Sequence, residues 1–163
     1  MVELKTIKIE IPEEINIILG MSHFIKSVED LYEALAESSA GIKFGIAFCE
    51  ASGPCLIRRT GNDSELEKMA SEMALNIGAG HSYIIYIRNA FPVNVLKRVQ
   101  AVSEVVSTFC ATANPVQVVI AESEQGRGIL GVIDGYSPKG VETDSDIDER
   151  KTFLRTIGYK TPL

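Results

Sequence analysis

Apolar residues recur along this chain with two different periods. Short runs typical of strands fall at residues 2–11, 15–19, 42–49, 55–58, 83–87, 116–121 and 129–133. Between them, residues 27–41, 64–77 and 92–112 carry apolar side chains at helical spacing. Turn residues join two pairs of runs as hairpins, which excludes an all-parallel sheet. The pattern therefore predicts an α/β fold, a single domain with a mixed β-sheet and helices packed on both faces.

Local signals predict where several of these elements begin and end. Asp63 or Ser64 can cap the helix over residues 64–77, and Ser27 opens a sequence that resembles a capping box. Pro92 suits the first turn of the helix over residues 92–112. The first strand changes its alternation near Thr6, which predicts a bulge there.

The stretch from Asn76 to Leu96 combines a helix end, a glycine loop, a buried strand and a helix start. Gly78 suits the left-handed residue that closes a helix, and Gly80 lets the backbone approach a ligand. The run from Tyr83 to Ile87 is rich in β-branched and aromatic residues, so we expect a central strand. His81 would then lie at the mouth of that strand.

Length and charge restrict the class of protein. At 163 residues and 45% hydrophobic, the chain suits one domain over residues 1–163, with a polar, acidic segment from about residue 139. The net charge of −6 argues against nucleic acid as a partner. No apolar run reaches the roughly 18 residues of a membrane span, and no signal segment is evident, so we expect a cytoplasmic protein without a membrane partner.

Neither a disulfide framework nor a metal site is predicted. The three cysteines are odd in number and lack Cys-x-x-Cys spacing. The acidic run that starts at Asp144 resembles a calcium loop, but Glu149 and Arg155 stand where glycine and glutamate are required. We expect a solvated acidic segment there.

Gly126, Arg127, Gly128 and Gly131 match the spacing G-x-G-x-x-G of dinucleotide-binding loops. A strand follows this motif instead of a helix, so no helix N-terminus can hold a pyrophosphate. Protein-kinase motifs and a Walker A loop are also absent. Two interpretations remain open: a phosphate clamp made of backbone N–H groups and the Arg127 guanidinium, or a plain hairpin turn with a solvated arginine.

His81 also allows two interpretations. A histidine after a glycine loop can be a hydrogen-bonded structural residue, or its neutral imidazole can be a nucleophile at pH 7. In the second case, Gly80 and Ser82 could donate hydrogen bonds to an incoming phosphoryl group. His23 has weaker surroundings, while Glu50 and Ser52 follow a strand end, where α/β sheets usually bind ligands.

Seven segments together resemble the adenosine-specific kinase family. They are Gly20-Met-Ser-His-Phe, Ala47-Phe-Cys-Glu-Ala-Ser-Gly, Ala79-Gly-His-Ser, Arg88-Asn-Ala-Phe-Pro-Val-Asn-Val-Leu, Cys110-Ala-Thr-Ala-Asn-Pro, Ala121-Glu-Ser-Glu-Gln-Gly-Arg-Gly-Ile-Leu-Gly-Val-Ile-Asp-Gly and Ile157-Gly-Tyr-Lys. The resemblance covers nearly the whole chain. It implies a compact α/β protein that binds adenosine and AMP, carries a phosphorylated histidine and forms homo-oligomers, with trimers favoured.

The resemblance also implies roles for individual residues. His81 is the expected phosphorylated residue, with His23 in reserve, and Gly126, Arg127 and Gly128 form the expected phosphate clamp. Gly80 and Ser82, the donors suggested above by their position beside His81, complete the predicted phosphate-binding residues. Glu50, Ser52, Asn89 and Phe91 are the candidate nucleoside-binding residues. A nucleoside triphosphate donor such as ATP, with Mg²⁺, would supply the phosphoryl group, and no prosthetic group is expected.

Two classes of function fit this set of residues. In the first, His81 accepts a phosphoryl group from a nucleotide and passes it to a hydroxyl of adenosine. In the second, the same pocket senses adenosine or AMP, and phosphorylation of the histidine switches the protein without turnover. Steady release of AMP from adenosine and ATP would distinguish the enzyme from the sensor.

Overall fold

The computed structural model describes residues 1–162, which form eight strands and four helices. In chain order these elements are β1 (Glu3–Ile9), β2 (Asn16–Ser22), α1 (Ser27–Ala36), β3 (Lys43–Cys49), β4 (Ile57–Gly61), α2 (Ser64–Ile77), β5 (Ser82–Arg88), α3 (Pro92–Gln100), β6 (Val105–Thr112), β7 (Val116–Glu122), β8 (Arg127–Asp134) and α4 (Asp144–Thr156). The predicted α/β class and both predicted hairpins, β3–β4 and β7–β8, are confirmed.

The strands divide into two sheets instead of the one mixed sheet predicted. The larger sheet has the order β4-β3-β5-β2-β6, with β5 in the middle as expected, and the smaller has the order β1-β7-β8. All the ladders between these strands are antiparallel. Apolar periodicity identifies a strand but carries no information about its partner or direction, so the division into two sheets was not predictable from it.

Apolar side chains cover both faces of the larger sheet, as the predicted arrangement of helices requires. On one face, α1 and α3 pack over a cluster that includes Tyr83, Ile85 and Ile87. On the other, α2 and the smaller sheet enclose a cluster that includes Ile84 and Tyr86. Because alternate residues of β5 enter opposite clusters, this strand ties the two halves of the core together.

The predicted helix over residues 92–112 is wrong in its second half. α3 ends at Gln100, and residues 105–112 form β6, the edge strand that pairs with β2. Val102, Val106 and Phe109 have helical spacing, but β-branched residues such as Val105 and Thr108 favour a strand. The ladder with β2 decides between these two local preferences because it satisfies the backbone groups of the segment.

Two smaller predictions also fail. β1 pairs with β7 in continuous register, so the bulge expected near Thr6 is absent. A register shift lies instead between β7 and β8, at Val119 and Ile120. Ser27 does not cap α1, because its hydroxyl contacts the hydroxyl of Ser22.

The acidic C-terminal segment forms α4, a helix of Asp144–Thr156 with no buried residue. The sequence analysis expected a solvated acidic segment here, and the structure forms a helix in it, capped by Thr143. Phe153 is 59% exposed on this helix. Within residues 1–162, no helix is both long and apolar enough to cross a membrane.

Candidate active site

The predicted site forms where β2 and β3 end and β5 begins. α2 is capped at its start by Asp63, whose carboxylate accepts from the N–H groups of Glu65 and Leu66. Gly78 ends the helix with a φ of 61°, the left-handed conformation predicted for it. Residues 79–81 then cross to β5, which brings His81 to the end of the larger sheet.

The backbone of His81 is held by both neighbouring strands. Its N–H donates to Cys49 O and its carbonyl accepts from the Ser22 N–H, each at 2.8 Å. The φ of His81 is 66°, a left-handed conformation that is uncommon for a residue with a Cβ. Its ring stacks on Phe48 with the centroids 6.0 Å apart and the planes 15° apart. These contacts fix where the partly exposed imidazole points.

A small pocket of about 220 Å³ contains both histidines of the chain. Its lining consists of His23, Phe24, Ile25, Phe48, Glu50, Ala51, Ser52 and His81. His23 Nδ1 lies 3.0 Å from the backbone oxygen of Glu104, the residue just before β6. The fold therefore joins the two histidines that the sequence analysis treated as alternatives.

A larger cleft of about 710 Å³ lies beside this pocket and shares Glu50 and Ala51 with it. Its lining includes Gly80 and the β7–β8 hairpin residues Gly126, Arg127 and Gly128. A side chain on Gly80 would meet the Ala51 Cβ at 3.1 Å. A glycine therefore keeps the passage between the α2–β5 loop and the β3–β4 loop open.

The Glu50 carboxylate accepts hydrogen bonds from two residues of the β3–β4 hairpin. Its carboxylate accepts from the Leu56 N–H at 2.9 Å and from Arg58 Nη2 at 3.0 Å. The Leu56 N–H, and then the Arg58 guanidinium, hold the pKa of this carboxyl below its usual range. Glu50 therefore stays ionised at neutral pH and shapes the wall between the two cavities.

Arg127 joins the β7–β8 hairpin to the end of α2. Its Nε donates to Glu122 Oε1 at 2.8 Å, and Nη1 donates to Asn76 O at 2.8 Å. A further contact of 3.3 Å reaches Ile77 O, so the guanidinium binds carbonyls that the helix end leaves unpaired. The third nitrogen of the Arg127 guanidinium, Nη2, forms no hydrogen bond with any group of residues 1–162. Arg127 lines the larger cleft, so this one nitrogen is available to a ligand there.

Three predicted residues lie away from both cavities. The Ser82 hydroxyl is buried and donates to Ala79 O at 2.7 Å. Asn89 and Phe91 follow the far end of β5, whose seven residues span roughly 23 Å at about 3.3 Å each. Within one chain, Asn89 and Phe91 cannot reach a ligand beside His81.

The sequence analysis did not identify three charged residues that support this site. Arg58 pairs with Glu50, and Lys26 Nζ lies 3.1 Å from Oε1 of the buried Glu104. Neither Arg58 nor Lys26 belongs to a recognisable motif. Glu104 was assigned to the interior of a long helix, and that error concealed its position beside His23.

A protein-bound metal ion does not fit this arrangement. Within residues 1–162, no three histidine, cysteine, aspartate or glutamate side chains form a cluster that could hold one. The carboxylates that line the larger cleft, Glu50 and Glu122, are paired with arginines. A Mg²⁺ ion at this site would therefore need phosphate oxygens as its main ligands.

The fold and site define a class of protein: a small α/β protein with a paired-histidine pocket beside a ligand-sized cleft. The family model described as adenosine specific kinase matches residues 7–160, and the chain belongs to this family. It is also similar to the PH1918 protein from Pyrococcus horikoshii OT3, whose crystal structure superposes with a TM-score of 0.96. That similarity has 45% sequence identity and covers 99% of this chain and 100% of the other. No protein among the curated ones matches this chain.

Proposed function

We propose that this protein binds adenosine or AMP in the larger cleft and transfers a phosphoryl group through His81. The observation that carries the proposal is the shared wall at Glu50 and Ala51, which places a ligand-sized cleft directly beside the histidine pocket. Membership of a family named for adenosine kinase activity supports the choice of nucleoside.

The larger cleft has the size and lining that a nucleoside needs. Its volume of about 710 Å³ lies within the range of about 300–1,000 Å³ that is usual for ligand pockets. Val2, Ile57 and Leu75 supply apolar surface for a purine ring. Arg127 lines the same cleft, and its Nη2, which no protein group within residues 1–162 accepts from, can donate to a phosphate.

The surroundings of His81 suit a phosphoryl carrier. A neutral imidazole is nucleophilic at pH 7 without a second activating base, and the ring is partly exposed in the small pocket. Hydrogen bonds on both sides of its backbone restrict the motion of the ring relative to the cleft. An incoming phosphorus atom would therefore meet a pre-positioned nitrogen.

A second function, an adenosine or AMP sensor switched by phosphorylation of His81, is favoured by the pairing of both nearby arginines. Arg58 is bound to Glu50 and Arg127 to Glu122, which reduces the positive charge available to a transferring phosphoryl group. Fast transfer usually relies on such charge. A sensor needs only the binding site and one phosphorylation.

Ligand choice and turnover test the proposal. Adenosine and AMP should raise the melting temperature in proportion to RT ln(1 + [L]/Kd), while guanosine and cytidine at the same concentrations should not. With ATP and Mg²⁺ present, steady formation of AMP from adenosine identifies the enzyme. A burst of one phosphoryl group per chain identifies the sensor, and equal thermal shifts with all four ligands contradict both.

A further inference from the structure

The imidazole of His23 is held in one tautomer by the backbone. Glu104 O accepts from the His23 N–H at 3.2 Å and lies 3.0 Å from Nδ1 of the same residue. A carbonyl oxygen can only accept, so Nδ1 must carry the proton of the neutral ring. The lone pair of neutral His23 is therefore on Nε2, at the opposite edge of the imidazole.

The acceptor that holds His23 is itself fixed in place. Glu104 is 3% exposed, and its carboxylate lies 3.1 Å from Lys26 Nζ, which also contacts Asp30. The next residue, Val105, begins the ladder of β6 with β2. The carbonyl lies between a buried carboxylate and the first pair of a strand ladder, so the fold restrains the acceptor that orients the His23 ring.

Nε2 of His23 is available to a ligand in the small pocket. Both histidines line this cavity, and no side chain or backbone group within residues 1–162 forms a hydrogen bond to His23 Nε2. Phe24, Ile25 and Phe48 make much of the remaining wall apolar. A substrate hydroxyl that enters between the histidines would find the His23 lone pair as a hydrogen-bond acceptor.

We propose that His23 is the general base that takes the proton of the accepting hydroxyl when the phosphoryl group leaves His81. The inference rests on the proposed function. In this step the hydroxyl oxygen forms a bond to phosphorus as the P–N bond to His81 breaks. The electron pair of that bond returns to the His81 nitrogen, and the hydroxyl proton moves to His23 Nε2. Atoms and charge balance without any further reactant.

Two variants of His23 separate this role from a structural one. In His23→Asn, the side-chain amide N–H can replace Nδ1–H as the donor to Glu104 O, but nothing replaces Nε2. In His23→Gln, the amide reaches the position of Nε2 and the donor to Glu104 is lost. A structural role predicts that the Asn variant works and the Gln variant fails. A base role predicts that neither transfers the phosphoryl group efficiently.

The decisive measurement is single-turnover transfer from phosphorylated protein to adenosine. We expect His23→Asn to be labelled on His81 and to bind AMP like the unmodified protein, while its transfer rate falls by about 10²–10⁴-fold. A transfer rate within about threefold of the unmodified protein overturns the inference. If the protein without any substitution takes up no phosphoryl label, the proposed function is overturned, and this step with it.

Nitrogen NMR of the unphosphorylated protein tests the tautomer independently of activity. Long-range ¹⁵N–¹H correlations should show a protonated Nδ1 and an unprotonated Nε2 for His23 at a pH where the ring is neutral. The His23→Gln spectrum identifies the resonance by its absence. A proton on Nε2 of the neutral ring would overturn the inference even if phosphoryl transfer by His81 were established.

Discussion

His81 combines a left-handed backbone with a partly exposed imidazole, which makes one substitution especially informative. Asn adopts left-handed conformations more readily than most residues, so His81→Asn should keep the loop intact while removing the nucleophile. We expect this variant to lose phosphoryl labelling by a nucleoside triphosphate and to bind adenosine within about tenfold of the unmodified protein, about 1.4 kcal/mol. On the protein that retains His81, the phosphoryl label should be lost in mild acid and survive alkali.

His23→Asn is the control for that experiment, and it should retain the label. If the His23 variant loses the label while the His81 variant keeps it, His23 is the nucleophile. If both keep it, neither histidine carries the phosphoryl group.

Arg127 is expected to discriminate AMP from adenosine. Arg127→Lys keeps the charge but removes the planar fork, so AMP affinity should fall by about tenfold while adenosine affinity changes less. Because Arg127 also binds Glu122 and the end of α2, thermal unfolding must be measured beside isothermal titration. Arg59→Lys, a substitution of an exposed arginine on β4, is the matched control. Equal losses for both ligands would exclude Arg127 as the phosphate clamp.

Glu50 gives a pH-dependent contribution to stability. Its folded-state pKa lies below the ordinary 4.5, so its contribution is fully present above pH 4.5 and is lost as pH falls through the lower value. Glu50→Gln should therefore melt at a lower temperature than the unmodified protein at pH 7, and this difference should close in acid. Melting curves between pH 7 and pH 3 provide the check. A constant difference would show that the charge is not responsible.

At the scale of elements, α2 lies so close to β3 that only a glycine fits at residue 45. A Cβ on Gly45 would lie 2.1 Å from the Glu67 backbone nitrogen and 2.2 Å from the Leu66 carbonyl carbon. Gly45→Ala must push the helix from the strand, and we expect a loss of about 1–3 kcal/mol in the free energy of unfolding. Gly41→Ala, which would meet nothing within 4 Å, is the control. Urea denaturation of both variants measures the difference.

The contact between α2 and β3 also matters for the site. α2 ends at Gly78, and the loop from there to His81 determines where the imidazole lies. A helix displaced by Gly45→Ala would move the carbonyls that Arg127 binds. The cleft is therefore built from elements whose spacing depends on residues outside it.

At the scale of the whole molecule, exposed apolar side chains predict assembly. Phe153 of α4, Leu130 and Ile133 of β8, and Tyr136 are each more than half exposed, and α4 buries no residue in the monomer. We expect a stable homo-oligomer at micromolar concentration, with a trimer favoured, because assembly would bury this surface. Light scattering that gives the chain mass of 17.8 kDa would contradict this. Phe153→Ser should weaken the assembly, and Lys151→Ser on the same helix should not.

Assembly could bring Asn89 and Phe91, which lie far from His81 within one chain, close to the site of another copy. Asn89 and Phe91 match family segments, yet they follow the end of β5 opposite to His81. A nucleoside bound beside His81 could therefore reach Asn89 and Phe91 only on another copy of the chain. Their placement could not be read from the sequence, because a motif records which residues occur together and not where the chain carries them.

The sequence by itself determined the features that depend on neighbouring residues. These include the Asp63 cap, the left-handed Gly78, the buried run of β5 and the two hairpins, because capping, turn formation and apolar periodicity act over a few residues. Family membership likewise follows from short segments. Tertiary structure alone decided that residues 105–112 form a strand, that the strands make two sheets, and that His23 and His81 share a pocket. Each of these outcomes depends on hydrogen bonds or packing between segments far apart in the chain, which local preference does not encode.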